Sequence, residues 1–365
     1  MASAELFNLP VDGSTVVGHI RVVVAGTDNT LLDIARRSDV GYHEITEANP
    51  EVDVWTPDAH DKIVIPTQYI LPPKPWRGVV INVSQRRLFY FLPVEKDKPA
   101  QVVTFPISIA REGWSTPLGE TKIIGKYKDP GWFMPKSIQA ERRQEGETDF
   151  PTYFPPGPDN PMGMLAIQLG FSGIFIHGTN RPWGVGMRTS HGCLHLYPED
   201  AAMVFPLISA GIPVRVIDEP VLVGIRAGQL VVASYEPVME YDKTTNLSTR
   251  TMMALSPWLD EQINTTGHSY QVDWNRVQNI TETVNVVPLS IAPGGATYKE
   301  LIAGIPVEPY RHLPYGKEAN DATAPPPTQT VVTATSLSSA PAAVPETKTN
   351  IDHTSDTIDV ESVWD

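Results

Sequence analysis

Between Ile176 and Leu196 the chain reads IHGTNRPWGVGMRTSHGCLHL. This stretch holds Cys193, the only cysteine among 365 residues, and three of the nine histidines, His177, His191 and His195. A thiol attacks carbonyls once a base has taken its proton, and imidazole is the side chain whose ordinary pKa suits that task near neutral pH. His177 precedes Cys193 by sixteen positions, enough for the chain to leave and return. On this reading Cys193 is the nucleophile of an acyl transfer. His177 depresses the thiol pKa and removes the proton, and a backbone carbonyl or hydroxyl near Gly178 orients the ring. The amides of Gly192 and Cys193 face the developing oxyanion. Ser190, His191, His195, Thr179, Asn180 and Trp183 are candidates for substrate contact or for orienting the dyad. Trp183 and Tyr197 are equally open to a packing role.

Two other readings compete. His177, His191, Cys193 and His195 are all zinc-ligand types, as a zinc-dependent hydrolase would need. Against this, His191, Cys193 and His195 alternate along an extended segment and share one face, which is awkward for three ligands unless the strand bends. The third reading is a buried cysteine among hydrogen-bonded histidines in a protein without catalysis. Under the first reading neither metal nor cofactor is expected.

These residues need elements to hold them. Gly173–Ile176 reads as a short buried strand that ends at His177, where a loop opens. From Gly78 the pattern is β: residues 79–83, 87–91 and 101–107 are short runs rich in branched and aromatic side chains, as in a mostly antiparallel sandwich. The charged run from Ser137 to Asp149 reads as a solvated face, or as a mobile cap over the cleft. Upstream, residues 19–66 give strand, helix, helix, strand: 20–24, then 31–35 behind Asn29 and Thr30 as caps, 43–48 stopping at Asn49-Pro50, and 62–66. Pro72-Pro73-Lys74-Pro75 is a stiff linker. Residues 218–312 read as a small accessory α+β region, with a hairpin turning at Ala227-Gly228 and a helix opening at Ser256-Pro257. Residues 316–365, rich in Pro, Thr, Ser and Ala, are expected to be disordered.

Composition narrows the partners. A net charge of −14 opposes a nucleic-acid surface. No run is apolar enough to span a bilayer, and the first residues lack the pattern of a signal peptide, so Met1-Ala-Ser-Ala-Glu reads as a start placed on a processed chain. The 35 prolines, about twice the usual ~5%, favour linkers between modules.

His177-Gly178-Thr179-Asn180 with Ser190-His191-Gly192-Cys193-Leu194 resembles the signature of the L,D-transpeptidase catalytic domain, of the YkuD type. Thr116-Pro117-Leu118-Gly119 and Asn160-Pro161-Met162-Gly163 resemble two further segments of that family, and the likeness covers about 78–217. His195 departs from it, standing where many members carry arginine and some asparagine. The resemblance implies a mainly β, sandwich-like catalytic domain and a periplasmic enzyme acting on peptidoglycan stem peptides. Cys193 would cleave between meso-diaminopimelate and the terminal D-alanine. The thioester would pass to an amine of a second stem, or to an outer-membrane protein. Residues 19–66 resemble a lysin-motif (LysM) module, which implies binding to wall glycan.

Overall fold

The computed structural model describes residues 6–26, 29–265 and 270–309. The expected tail, 316–365, lies outside these residues, as do Thr27, Asp28 and the last part of the accessory region. The fold is mostly β, with seven α-helices among the described residues.

Its centre is a nine-stranded mixed sheet. In spatial order the strands are Leu6–Asn8, Gln101–Pro106, Arg87–Phe91, Gly78–Asn82, Pro213–Ile217, Gly119–Lys128, Leu165–Leu169, Phe175–His177 and Leu194–His195. Most neighbours are antiparallel, but Pro213–Ile217 runs parallel to Gly78–Asn82, and Leu194–His195 runs parallel to Phe175–His177. The strand Gly78–Asn82 reads as an unbroken apolar run because both of its faces are covered. Val79 and Ile81 join the core with Leu88, Phe105, Ile167, Ile176 and Leu194, while Val80 packs with Phe89, Tyr69 and Val102 on the opposite face.

Upstream, helices α1 (Leu31–Arg37) and α2 (Tyr42–Ala48) sit between the paired strands Arg21–Val24 and Lys62–Ile65. Thr30 and Asp33 close α1 with a reciprocal capping box. Leu31, Ile34, Ala35, Ile45, Ile63 and Ile65 form a small core of their own. α2 docks onto the central sheet through a fully buried ion pair. Arg87 on the strand Arg87–Phe91 bonds both oxygens of Glu44, at 2.8 and 2.9 Å, and the Asp39 carbonyl at 2.8 Å, with its guanidinium 4.1 Å from the Tyr69 ring centroid.

Helix α3 (Lys136–Gln144) crosses the site, and α4 (Pro198–Leu207) follows it in sequence. Downstream, the hairpin Val221–Arg226 and Gln229–Ser234 turns at Ala227 and Gly228, both with positive φ, as the sequence predicts. It pairs with Asn285–Ser290. Helices α5 (Leu247–Thr265), α6 (Trp274–Glu282) and α7 (Tyr298–Ala303) accompany it.

The expected helix start at Ser256-Pro257 is wrong by about ten residues. α5 begins at Leu247, where Asn246 accepts the Thr249 N–H at 2.8 Å, and Pro257 falls inside the helix. Proline removes the N–H that would serve the Met253 carbonyl, but Met253 is solvent-exposed, so water can take its place.

Val16, Ile20, Val22, Ala48, Val64 and Ile70 share one core with the downstream Val223, Leu230, Val232, Ile280 and Leu289. The strand Val307–Pro309 adds in parallel to Arg21–Val24.

Candidate active site

His177 ends the strand Phe175–His177, and Leu194–His195 pairs beside it with His177 opposite His195. The same parallel register sets Cys193 across from Phe175. Side chains alternate along a strand, so 175, 177, 193 and 195 share one face. Phe175, His177, Cys193 and His195 all line one cavity of about 580 Å³, together with Thr179, Asn180, Trp183, Ser190 and His191. Its remaining wall is largely apolar and includes Trp132, Met134, Ile138, Phe154 and Met162.

The orientation of His177 is set by backbone. Its Nδ1 lies 2.6 Å from the Gly178 carbonyl oxygen, so Nδ1 carries the hydrogen and Nε2 is free to accept a proton. Burial lowers the His177 pKa to about 4, against the opposing hydrogen bonds to the Gly178 and Met162 carbonyls. Burial also pushes the Cys193 thiol up to about 11, opposed by the Phe175 N–H, and Sγ rests 3.6 Å from the Gly173 carbonyl. The expectation of a depressed thiol pKa is therefore not met in this state. At neutral pH the thiol and the imidazole are both uncharged.

The loop bearing Cys193 is tied down by hydroxyls. Ser190 Oγ donates to the Cys193 carbonyl at 2.5 Å and accepts the Gly192 N–H at 3.1 Å. That second bond engages the Gly192 amide, which was expected to face an oxyanion. Gly192 sits at φ +127°, in the region open to glycine, and a Cβ there would come within 3.1 Å of Ile174 Cδ1. Thr116, buried, donates to the Gly192 carbonyl at 2.7 Å, which gives the Thr116-Pro117 segment its structural reason. The segment from Asn160 to Gly163 is explained likewise. Asn160 Nδ2 bonds the Pro130 carbonyl at 2.7 Å, and a Cβ on Gly163 would meet the Gly178 backbone at 3.0 Å.

The other predicted residues fall into place unequally. His195 stacks obliquely on His177 with centroids 4.6 Å apart, and burial keeps it neutral. Thr179 Oγ1 accepts the Arg181 N–H at 2.9 Å, and Asn180 donates to the Asp159 carbonyl at 3.0 Å, so both shape the loop. Trp183, in the short 3-10 turn Pro182–Gly184, is 57% exposed at the cavity wall. Among the described residues no group of three or more His, Cys, Asp or Glu side chains is arranged to hold a metal ion.

Sequence reasoning missed Glu141. Read as part of a solvated face, it instead accepts from Trp114 Nε1 at 2.9 Å, from the Arg111 guanidinium and from His191 Nε2 at 2.8 Å. Burial works against its charge, yet these bonds hold the carboxyl down to about 2. α3 presents Ile138 and Arg142 to the cavity, so the charged run supplies a wall of the site. The alternative reading of this run as a cap over the cleft pointed toward the site, and so does the helical period, which puts 138, 141 and 142 on one face.

Residues 76–216 match the YkuD family, the L,D-transpeptidase catalytic domain. The probable L,D-transpeptidase YbiS of Escherichia coli K12 is 39% identical over 223 residues, covering 60% of this chain and 71% of that protein. The probable L,D-transpeptidase YcfS of the same strain is 35% identical, covering 66% and 75%. The probable L,D-transpeptidase ErfK/SrfK of Salmonella typhimurium LT2 is 32% identical, covering 79% and 91%. The chain belongs to the L,D-transpeptidase family. It carries the YkuD catalytic domain of these cysteine acyltransferases.

Proposed function

We propose that Cys193 is the nucleophile and His177 the general base of a peptidoglycan L,D-transpeptidase. The observation that carries this is one cavity holding the chain's sole thiol and an imidazole whose Nδ1 is fixed on the Gly178 carbonyl. Because both partners start neutral, His177 Nε2 takes the thiol proton as Sγ bonds to the carbonyl carbon of the meso-diaminopimelate to D-alanine link, while the Cys193 N–H faces the oxyanion. Collapse expels D-alanine, which takes the proton back from His177. The thioester then passes to an acceptor amine, either a second stem (a 3–3 cross-link) or a lysine of an outer-membrane protein.

The catalytic unit in this reading spans 78–217, with substrate contacts from Ser190, His191, His195, Thr179, Asn180 and Trp183. Residues 19–66 act as a LysM module holding wall glycan, where Trp55, 63% exposed on the loop after α2, offers a sugar-stacking face. Residues 218–312 are the accessory region. The place of action is the periplasm. Among the described residues no helix is long and apolar enough to cross a membrane.

Purified tetrapeptide stems should leave a covalent mass on the protein equal to the donor less D-alanine. Cys193→Ala should abolish the adduct, and His177→Ala should slow it about 10²–10⁴-fold. The acid limb of kcat/KM should fall near pH 4 and not at the ordinary histidine value, since His177 must be neutral to act. Alkylation of the free enzyme should titrate well above the ~8.5 of an ordinary thiol. Turnover by Cys193→Ala at the wild-type rate would overturn the assignment.

A further inference from the structure

His191 is the one histidine of the cluster held by a carboxylate, and that carboxylate comes from a separate element. We propose that Glu141 is a positioning residue: from α3 it fixes the tautomer and direction of the His191 ring, so that His191 presents its Nδ1 as a hydrogen-bond acceptor to a substrate N–H. The inference rests on Cys193 being the nucleophile of the cavity that His191 lines.

The geometry leaves the carboxylate little choice. Arg111 and Trp114 are donors only, and both bond the same oxygen of Glu141, Oε1. His191 Nε2 bonds the other, Oε2, at 2.8 Å. An ionised carboxylate only accepts, so Nε2 must carry the hydrogen and Nδ1 the lone pair. Trp114 adds a second restraint, its ring standing edge-on to His191 with centroids 4.8 Å apart at 85°. Arg111 is itself anchored to the catalytic loop, its N–H donating to the Ser190 carbonyl at 2.8 Å. The hold is therefore built from both sides of the cleft. A scissile peptide has N–H groups beside its carbonyl, and an acceptor in the wall near the thiol is what such a donor meets.

Glu141→Gln is the discriminating variant. Its amide oxygen stays with the two donors on the Oε1 side, and its NH2 then faces His191 and demands an acceptor there. The ring must switch to the Nδ1–H tautomer while the helix stays in place. The imidazole 15N spectrum of His191, assigned against His191→Asn, should show protonated Nε2 in the wild type and protonated Nδ1 in Glu141→Gln. With purified tetrapeptide stem as donor, kcat/KM should fall about tenfold, the effect of one ordinary hydrogen bond, with the melting temperature nearly unchanged. In the His191→Asn background the same change should cost nothing further.

An unaltered 15N signature, or losses that simply add in the double variant, would overturn the role of Glu141. The tautomer readout needs no turnover, so it remains decisive even if Cys193→Ala shows that the nucleophile has been misplaced.

Discussion

The loop between His177 and Cys193 is gripped from two flanks, each time by a helix whose glutamate holds an arginine. On one flank α2 brings its N-terminal backbone against the loop: the Tyr42 N–H donates to the Val185 carbonyl, Arg86 reaches the Gly186 carbonyl, and Glu44 holds Arg87 with both side chains out of solvent. On the other, α3 offers Glu141 to Arg111 and His191, with those side chains about a quarter to a third exposed. The same chemistry serves opposite ends. A pair sealed from water is costly to open, because removing one partner strands a buried charge. A pair at the rim of a cavity contributes little stability and is free to set the direction of a side chain that lines it.

The contrast breaks most sharply at Glu44. Glu44→Gln should destabilise the fold by about 3–5 kcal/mol in urea melts, whereas Glu141→Gln should leave the midpoint nearly in place. Replacing the buried pair together, Glu44→Leu with Arg87→Met, should recover most of that loss. A Glu44→Gln protein within 1 kcal/mol of wild type would mean that the two flanks do not differ in kind.

A smaller effect comes from Asp39 and Asp200, which meet behind the α2 flank. Burial raises both carboxyls, Asp39 to about 7. Their folded-state values lie above the ordinary carboxyl value. Their contribution is therefore complete below that value and is lost as pH rises through neutrality. Stability measured from pH 5 to 8 should fall, and Asp200→Asn should flatten the slope. An unchanged slope in the variant would assign the dependence elsewhere.

The smallest effect is expected at Arg36. It grips Glu199 of α4 with both side chains about a fifth exposed, and Arg36→Ala should cost no more than about 1 kcal/mol in the same urea melts.

Much of this molecule was legible beforehand, for reasons tied to particular residues. The strands 78–82 and 87–91 announced themselves because both their faces are buried, and Ala227-Gly228 because its glycine takes the positive φ that so tight a hairpin turn needs. Cys193 and His177 stood out by rarity and by family pattern. What stayed hidden depends on distance along the chain. Nothing local shows that Glu141 will meet His191, that Gly192 will spend its amide on Ser190, or that burial will leave the thiol neutral. Nor does a lone arginine on a strand show that Glu44 is its partner, since Arg87 looks like any solvated cation until α2 is laid over it. The misplaced start of α5 has the opposite origin, a local signal at Ser256-Pro257 overridden by a better cap at Asn246.

The strand Val307–Pro309 lies against Arg21–Val24, placing Val307 beside Val22 across nearly the whole described chain. A ribosome makes Val22 long before Val307, so the edge of this small sheet waits uncovered while everything between them is synthesised. Sheet pairing between such distant segments is slow, because a very long loop must close before any contact rewards it. The pairing at this edge therefore completes late, although Arg21–Val24 is made early. Until then an open strand edge is exposed to pairing with other chains, the hazard that such edges carry.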